Sequence, residues 1–296
     1  MMAKSILVFG ATGQLGREIA ALPPVEGLTI TCLPRSEADL SQPDTLPALI
    51  EQHAPSGVIN AAAYTAVDKA EEETALAHTV NGEAPGVIAR QCAAMSIPLV
   101  HVSTDYVFDG SKAGAYTEDD PIAPLGAYGQ SKAQGEAAIR EALDQHLILR
   151  TAWVYSAHGH NFVKTMLRVG ADRDQLRVVA DQISSPTAAG DLARACVDAM
   201  RQVVTYDRKN VWGTYHYAGE GAVSWHGFAD AIFEIAETSW GRRPTVDAIT
   251  TAEYPTPAAR PANSVLDCQK IADQLGIVAK PWRQSLEPVV KALLTA

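Results

Sequence analysis

The sequence predicts an α/β fold in which a doubly wound parallel sheet is followed by a smaller C-terminal lobe. Short apolar runs of strand length alternate with helix-length amphipathic segments over the first half of the chain, which is typical of βαβ units. A glycine-rich turn, Gly10-x-x-Gly13-x-x-Gly16, separates the first apolar run from the first amphipathic segment, as at a tight strand-to-helix turn. With 296 residues, the chain can form two unequal domains, each with a buried core.

In chain order, the apolar runs predict five buried strands with four helices between and after them. The strands are predicted over residues 6–9, 28–33, 58–60, 99–102 and 147–149. The helices are predicted over residues 14–22, 42–52, 72–95 and 128–143. Because the connections are long enough to carry helices, neighbouring strands should run parallel, with helices on both faces of the sheet.

The pattern changes after Arg150, and a second lobe is predicted over residues 151–296. This lobe contains a helix-like segment at residues 161–169 and an amphipathic helix at residues 187–200. The second of these helices should pack back on the first domain, residues 1–150, so the lobe is discontinuous. Residues 254–261 contain three prolines, which exclude a continuous helix or a central strand and predict an irregular surface loop.

The glycine turn has the context of a dinucleotide-binding fingerprint, because a predicted strand precedes it and a predicted helix follows it. Glycine permits the tight turn and lets the backbone approach a pyrophosphate, and the helix N-terminus behind it favours negative charge. We therefore predict a Rossmann-like dinucleotide site, although the spacing GxxGxxG differs from GxGxxG. The alternative is a glycine turn that binds no ligand.

The end of the second strand should select the cofactor. An acid there accepts a hydrogen bond from the ribose 2′-hydroxyl of NAD, whereas an arginine accommodates the 2′-phosphate of NADP. The chain has Arg35 at this point, which favours NADPH over NADH, and Glu37 two residues later weakens that preference. The alternative interpretation of Arg35 is a surface residue that binds nothing.

Two further strand ends carry polar residues at the carboxyl edge of the sheet, where open α/β folds bind ligands. The third strand ends in Asn60 and is followed by three alanines and Tyr64. These alanines let a cofactor approach the backbone, but plain packing against a helix would require them equally. The fourth strand ends near Thr104, whose hydroxyl can donate to a substrate carbonyl. His101, inside the same apolar strand, is better explained as a core residue.

Tyr128 and Lys132 are four residues apart on a predicted helix, so their side chains share one face. A nearby ammonium stabilises a tyrosinate, which makes the pair an acid–base device for a phenol whose ordinary pKa is about 10. The pair by itself also fits a solvated helix face. Its position after the glycine turn and Thr104 favours a dehydrogenase.

The composition argues against several classes of protein. The formal net charge of −10 and the pI near 5.3 disfavour binding to nucleic acid or to an anionic membrane. The N-terminal apolar run is too short for a signal peptide, and no segment approaches the length of a membrane span. The four cysteines, Cys32, Cys92, Cys196 and Cys268, are scattered along the chain. They predict reduced thiols in a cytoplasmic protein, without disulfides or zinc.

With the glycine turn, Thr104 and the Tyr128/Lys132 pair in this order, the chain resembles the extended short-chain dehydrogenase/reductases. Within that superfamily it is similar to the dTDP-4-dehydrorhamnose reductase family over nearly its whole length. The segments that carry the similarity are residues 10–16, 60–71, 103–110, 150–155, 185–187, 213–216 and 260–264. The resemblance implies a Rossmann-like domain with a substrate-binding lobe.

The resemblance also implies that NADPH or NADH delivers hydride to C4 of dTDP-4-dehydro-L-rhamnose and gives dTDP-L-rhamnose. Tyr128 would donate the proton to the forming alkoxide, and Thr104 would position the carbonyl oxygen. Lys132 would hold the nicotinamide ribose and lower the pKa of Tyr128. Substrate contacts would come from Thr104, Asp105 and Trp153, with Thr65, Val67 and Tyr106 as weaker candidates. With the residues argued above, the expected cofactor contacts are Gly10, Gly13, Gln14, Leu15, Gly16, Arg35, Asp39, Leu40, Ala63, Tyr64, Thr65, Tyr128 and Lys132.

Some members of this family bind magnesium through carboxylates at a dimer interface. The chain shows no equivalent acidic trio, so neither that metal nor that dimer is predicted, and another homodimer stays open. Two other activities also stay open. Nucleotide-sugar epimerases and dehydratases share the scaffold and the Tyr/Lys pair, although residues 103–110 and Trp153 favour the reductase. Regulatory subunits that bind NADP without catalysis keep the same fold.

Overall fold

The structure is a computed structural model and describes residues 3–295. Its strands are β1 Lys4–Phe9, β2 Leu28–Leu33, β3 Gly57–Asn60, β4 Leu99–Thr104, β5 His146–Thr151, β6 Val154–Tyr155, β7 Gln175–Val179, β8 Ile183–Ser184, β9 Thr187–Ala188, β10 Gly213–His216, β11 Val223–Ser224 and β12 Thr245–Ile249. Its helices are α1 Gln14–Ala20, α2 Leu46–His53, α3 Val67–Ala70, α4 Thr74–His78, α5 Ala84–Met95, α6 Ala127–Ala142, α7 Phe162–Gly170, α8 Ala189–Val204, α9 Trp225–Trp240, α10 Gln269–Leu275 and α11 Trp282–Thr295. A π-helical turn, Thr79–Glu83, joins α4 to α5.

A six-stranded parallel sheet forms the centre of the molecule, in the order β10-β5-β4-β3-β1-β2. Successive side chains of a strand point to opposite faces, and both faces of β1 are buried. Ile6 and Val8 pack in the cluster that contains residues of α1 and α8. Leu7 and Phe9 pack in the cluster that contains residues of α2, α5 and α6. The predicted doubly wound α/β fold is therefore confirmed.

The order of the strands places a switch point at the carboxyl end of the sheet. The chain passes from β1 outward to β2 on one side, and the later strands β3, β4 and β5 lie on the other side. In open α/β sheets the loops that diverge at such a point leave a crevice for a ligand. The crevice here lies between the ends of β1 and β3.

The five predicted strands and the helix positions in the first domain are confirmed to within a few residues. The helix predicted over residues 72–95 is interrupted, because α4 and α5 are joined by the π-helical turn. The strand β10 was not predicted. It has only four residues, two of them glycine and threonine, and its place beside β5 follows from a long-range contact that no local pattern records.

The second half of the chain builds a separate core around α7, α9 and α11, in which Tyr155, Phe228 and Trp282 pack together. The short pairs β6/β9, β7/β12 and β8/β11 lie outside the main sheet. Helix α8 buries its apolar face in the cluster that includes Ile6 of β1 and Ile19 of α1. The segment after Thr251–Glu253 has no regular structure through Pro261, and half of its residues are exposed.

Within residues 3–295, no helix is both long and apolar enough to cross a membrane.

Candidate active site

The glycine turn after β1 is held in a form that only glycine tolerates. Gly10 has φ +96°, and a Cβ at this position would lie 2.8 Å from the backbone nitrogen of Ala62. A Cβ at Gly16 would lie 2.1 Å from the carbonyl oxygen of Gly10. The first glycine therefore lets the turn approach the segment after β3, and the third lets α1 pack on the turn. Gly13 precedes α1, and no side chain caps this helix.

The first residues of α1 connect the glycine turn to the second half of the chain. The Gln14 side-chain oxygen accepts hydrogen bonds from Asn161 Nδ2 at 2.8 Å and from Ser156 Oγ at 3.2 Å. The side chain of Leu15 is buried in the core. Only the backbone of Leu15, and not its side chain, can face a ligand at the sheet edge.

The segment after β2 places Arg35 and Asp39 on the surface. Arg35 is 71% exposed and its Nε lies 3.2 Å from Asp39 Oδ2. Asp39 also accepts a hydrogen bond from the Ser41 backbone N–H, which holds the pKa of Asp39 below its usual range. The neighbouring Leu40 is buried in the cluster around β1 and α2. Of these three predicted cofactor residues, Leu40 therefore offers only its backbone.

The segment after β3 is fixed by two asparagines. Asn60 Oδ1 accepts from the Ala62 backbone N–H at 3.1 Å. Asn81, in the π-helical turn, accepts from Tyr64 N–H at 2.8 Å and donates to Tyr64 C=O at 3.0 Å. The Tyr64 hydroxyl donates to Glu73, whose carboxylate raises the pKa of Tyr64 to about 12. Ala63 is half-buried and Thr65 is exposed.

Tyr128 lies in the first turn of α6, and several contacts hold that turn. The Ala127 N–H donates to Glu71 Oε1 at 2.9 Å. Ser131 donates to the Tyr128 carbonyl at 2.7 Å and accepts from Asn81 Nδ2 at 3.0 Å. The Tyr128 ring packs edge-to-face on Tyr106 with centroids 5.5 Å apart. These contacts fix the direction in which the phenol points.

Lys132 is buried one turn further along α6, with 1% of its surface exposed. Its Nζ donates to the Val102 carbonyl at 2.7 Å and lies 3.2 Å from His101 Nε2. Burial lowers the pKa of Lys132 to about 8, and the carboxylate of Glu136 opposes that change. Lys132 is therefore much closer to neutrality than an exposed lysine.

Burial raises the pKa of Tyr128 to about 12, a hydrogen bond with Thr104 opposes the rise, and the charge of Asp105 adds to it. At neutral pH Tyr128 is thus a protonated phenol. Lys132 is not among the groups that set this pKa, because its Nζ donates to the Val102 carbonyl and lies beside His101. The expected lowering of the Tyr128 pKa by Lys132 stays a prediction.

Thr104 and Asp105 follow each other at the end of β4 and are both buried. The Thr104 hydroxyl donates to Asp105 Oδ1 at 3.0 Å and accepts from the Tyr106 N–H at 3.2 Å. Burial raises the pKa of Asp105 to about 6. Its Oδ2 is buried and makes no hydrogen bond of standard geometry among residues 3–295, while the hydroxyls of Ser264 and Ser184 lower the pKa of the carboxyl against the effect of burial.

Trp153 lies just beyond β5, whose last residue Thr151 pairs in register with Thr104. Its backbone has φ +45°, which is unusual for a bulky residue. The indole stacks on Trp225 with ring centroids 3.3 Å apart.

Val67 begins α3, and Asp68 in that helix pairs with Arg260 at 2.8 Å. This ion pair joins the segment after β3 to the loop at residues 254–261.

A buried ion pair joins α6 to β5. Glu136 accepts from Arg150 Nε at 2.9 Å and from Arg150 Nη2 at 2.7 Å. Neither side chain is more than 3% exposed. Because Arg150 lies in β5 and Glu136 lies in α6, the pair fixes the helix that carries Tyr128 and Lys132 against the sheet.

The structure thus brings Thr104, Tyr128, Lys132 and the glycine turn to one edge of the sheet, and it leaves Arg35 at the surface. The sequence analysis placed Asn60 at this edge without a partner, and it missed three further buried polar residues, namely Asn81, Ser131 and Glu136. These three lie in segments that contain other polar residues, so no local pattern distinguished them or identified their partners.

The part of the chain that the structure describes contains no group of three or more His, Cys, Asp or Glu side chains placed to hold a metal ion.

Comparison with known proteins gives a consistent result. The family model described as "RmlD substrate binding domain" matches residues 3–295. A dTDP-4-dehydrorhamnose reductase of Aggregatibacter actinomycetemcomitans is 44% identical over 287 residues, which cover 96% of this chain and 97% of the relative. A solved dTDP-4-dehydrorhamnose reductase of Clostridium acetobutylicum is 37% identical, with a TM-score of 0.89 and coverage of 98% of this chain and 99% of that chain. The corresponding protein of Bacillus anthracis, solved in complex with NADP, is 33% identical, with a TM-score of 0.90 and coverage of 98% and 100%.

Proposed function

The chain belongs to the RmlD family of dTDP-4-dehydrorhamnose reductases, and from this premise we propose that it reduces the C4 ketone of dTDP-4-dehydro-L-rhamnose with NADPH, Tyr128 donating the proton. The reaction class is that of its relatives, which carry this name at up to 44% identity over nearly the full length. The observation that supports the proposed roles of the residues is the meeting of Thr104, Tyr128 and Lys132 at the carboxyl edge of the sheet.

The protonation states support a reduction. A proton donor must hold its proton at neutral pH, and the pKa of Tyr128, raised to about 12 by burial, meets that condition. The Thr104 hydroxyl acts on Tyr128 as a hydrogen-bond partner and lowers the pKa of the phenol, so a carbonyl oxygen beside them would accept from Tyr128. Thr104 would donate to the same oxygen once its hydroxyl turns away from Asp105 Oδ1, which it contacts at 3.0 Å. The buried Lys132 supplies the nearby amine that stabilises the phenolate once its proton has gone.

The glycine turn supports a dinucleotide. A Cβ at Gly10 or Gly16 would enter neighbouring backbone, whereas one at Gly13 would meet only the Gly10 carbonyl, at 3.4 Å. The glycine turn is therefore crowded by backbone at Gly10 and Gly16, and it leaves space for a ligand at Gly13. We assign the pyrophosphate to Gly13 and the first turn of α1, and the ribose and nicotinamide to Ala63, Tyr64 and Lys132. Bound NADPH supplies the hydride.

On the substrate side, Asp105 and Trp153 are the proposed contacts. The Oδ2 of the buried Asp105, which makes no hydrogen bond of standard geometry among residues 3–295, suits a sugar hydroxyl as donor. The indole of Trp153 suits the apolar face and methyl group of a 6-deoxyhexose. Thr65, Val67 and Tyr106 remain secondary candidates, with Val67 and Tyr106 half-buried along the same edge.

The experiment that tests the function is NADPH oxidation in the presence of the 4-keto sugar nucleotide. Absorbance of the reduced nicotinamide should fall only when the protein and the keto sugar nucleotide are both present with NADPH, and the product should carry a hydroxyl in place of the C4 ketone. If the protein binds both compounds and never oxidises the cofactor, the regulatory-subunit alternative replaces the reductase. If it converts the keto sugar without net oxidation of NADPH, the epimerase or dehydratase alternative replaces it.

Replacing Arg35 tests the choice of cofactor. In Arg35→Ala we expect NADPH to bind about 10-fold more weakly and NADH to bind as before, because the lost charge-assisted hydrogen bond serves only the 2′-phosphate. Titration of both cofactors against both proteins measures this. Arg283→Ala, which removes an equally exposed arginine from α11, is the control for a change of global charge. Equal weakening of NADPH and NADH, or of neither, would show that Arg35 does not bind the 2′-phosphate.

Replacing Trp153 tests the substrate wall. In Trp153→Ala we expect the KM for the sugar nucleotide to rise about 10-fold while NADPH affinity stays constant, because an indole face is lost from the sugar site alone. Trp225→Ala is the matched control, since it removes the same stacked pair from the side of α9. If Trp153→Ala and Trp225→Ala lower stability equally and raise the KM for the sugar nucleotide equally, Trp153 serves only packing.

A further inference from the structure

A chain of hydrogen bonds runs from the segment after β3, through the middle of the sheet, to Lys132. Asn60 and His101 are paired in register on β3 and β4. The amide nitrogen of Asn60 lies 3.1 Å from His101 Nδ1, and His101 Nε2 lies 3.2 Å from Lys132 Nζ. Asn60 and His101 are fully buried, so water does not compete for these atoms.

The direction of these bonds follows from one backbone group. The Ala62 N–H donates to Asn60 at 3.1 Å, and a backbone N–H can only donate. The atom of Asn60 that faces Ala62 is therefore the oxygen, and the NH₂ group faces His101. Nδ1 of His101 must then accept, which leaves the proton of the neutral imidazole on Nε2.

This arrangement of protons determines the protonation state of Lys132. The Nε2–H of His101 is directed at Nζ, and an ammonium has no lone pair with which to accept it. The neutral amine accepts from His101 and still donates to the Val102 carbonyl at 2.7 Å. The hydrogen bonds of Asn60, His101 and Lys132 are all satisfied only when Lys132 is a neutral amine.

We propose that His101 and Asn60 are positioning residues that act through Lys132, holding it as a neutral amine in the free protein so that it changes charge close to neutral pH. This inference rests on the proposed function for its catalytic meaning and on hydrogen-bond geometry alone for its structural content. Proton exchange is most effective when the group involved titrates near the working pH. Burial already brings the pKa of Lys132 to about 8, and the Nε2–H lowers it further.

Other charged groups around Lys132 do not account for such a lowering. On its own helix, Glu136 favours the ammonium, but Arg150 of β5 neutralises that carboxylate through two hydrogen bonds. Tyr128 on α6 is a neutral phenol at physiological pH. The buried Asp105 follows the end of β4 and would favour the ammonium when ionised. His101 is thus the described neighbour that opposes the charge by hydrogen bonding.

The direct test is the protonation of His101 and Lys132 in solution. Side-chain nitrogen NMR of the free protein, assigned with His101→Gln and Lys132→Arg, should show His101 as the Nε2–H tautomer and Lys132 titrating at or below a pH of about 8. A proton on Nδ1 of His101, or titration of Lys132 near its ordinary value of about 10.4, would overturn the proposal. Both readouts are independent of enzyme activity.

Asn60→Asp should reverse the direction of these hydrogen bonds while keeping the shape of the side chain. A carboxylate offers only acceptors, so His101 should move its proton to Nδ1 and present a bare Nε2 that accepts from an ammonium. We expect the tautomer to switch and the titration of Lys132 to rise by about one unit or more. If the tautomer does not switch, the assigned direction of the bonds is wrong.

Kinetics connect the chain to the proposed reaction. If the ammonium is the active form, kcat/KM of the wild type should fall as pH rises through the pKa of Lys132, since kcat/KM reports the free enzyme. Asn60→Asp and His101→Gln should both move this limb to higher pH by about one unit. His146→Gln, which removes a buried histidine of β5, should lower stability without changing the pH at which kcat/KM falls.

If that pH is unchanged in Asn60→Asp and His101→Gln while NMR shows that the pKa of Lys132 has shifted, the catalytic role of the two residues is wrong. A protein with no reductase activity at all would instead remove the proposed function and leave the NMR result standing.

Discussion

Tyr128→Phe is expected to lower kcat by at least about 10²-fold, the low end for the loss of a general acid. The change removes one hydroxyl and its transferable proton, while the ring keeps its edge-to-face contact with Tyr106. Cofactor affinity and thermal stability should therefore stay close to those of the wild type. Steady-state kinetics at saturating NADPH and sugar nucleotide, together with cofactor titration, measure the two effects separately.

Tyr217→Phe is the control for Tyr128→Phe, because it removes a tyrosine hydroxyl that is buried with the core residues beneath the sheet. It should leave kcat within a small factor of the wild type. If Tyr128→Phe turns over at a near-normal rate, Tyr128 is not the proton donor, and the buried Asp105, whose pKa is raised to about 6, becomes the group to test next.

Glu136→Leu is expected to lower the free energy of unfolding by about 3–5 kcal/mol, because it leaves the buried guanidinium of Arg150 without its carboxylate. Burial raises the pKa of Glu136, but the hydrogen bonds and charge of Arg150 outweigh burial and hold that pKa below the usual range. A carboxyl group with a depressed folded pKa stabilises the protein above its unfolded pKa, and this contribution is lost as pH falls through the folded value. Denaturant unfolding at neutral and at acidic pH measures both the loss and its decline toward low pH.

Glu287→Leu provides the matched control, since Glu287 pairs with Lys291 one turn along an exposed helix face. That surface pair should contribute less than about 1 kcal/mol. A loss below about 1 kcal/mol in Glu136→Leu as well would show that the buried pair does not hold α6 on the sheet. Activity should fall together with stability in Glu136→Leu, because α6 carries both Tyr128 and Lys132.

The features that local patterns determine were predictable from the sequence. The apolar run of β1, the glycine turn behind it and the four-residue spacing of Tyr128 and Lys132 each depend on neighbouring residues. The family resemblance inferred from these motifs is confirmed by relatives that match nearly the whole chain. The residue roles within the site, the NADPH preference of Arg35 and the division into two domains stay predictions.

The features that depend on distant residues were not predictable in this way. Asn81, which lies in a π-helical turn, bonds Tyr64, 17 residues away, and Ser131, 50 residues away. The spacing of Tyr128 and Lys132 predicts their shared helix face but not the contacts of Lys132 Nζ with His101 and Val102 of β4. No periodicity in the sequence reports which buried polar atoms will meet across a sheet.

The late strand β10 has a consequence for how the protein is made. β5 is buried along all six of its residues, and its outer edge pairs with β10, which follows α7 and α8 in the chain. Until the ribosome has released residues 213–216, the growing chain carries β5 as an apolar edge with unpaired backbone groups, the kind of edge that pairs with other chains. Chains that stop before residue 213 should therefore aggregate rather than fold as a smaller unit, and in the cell they are natural clients for chaperones.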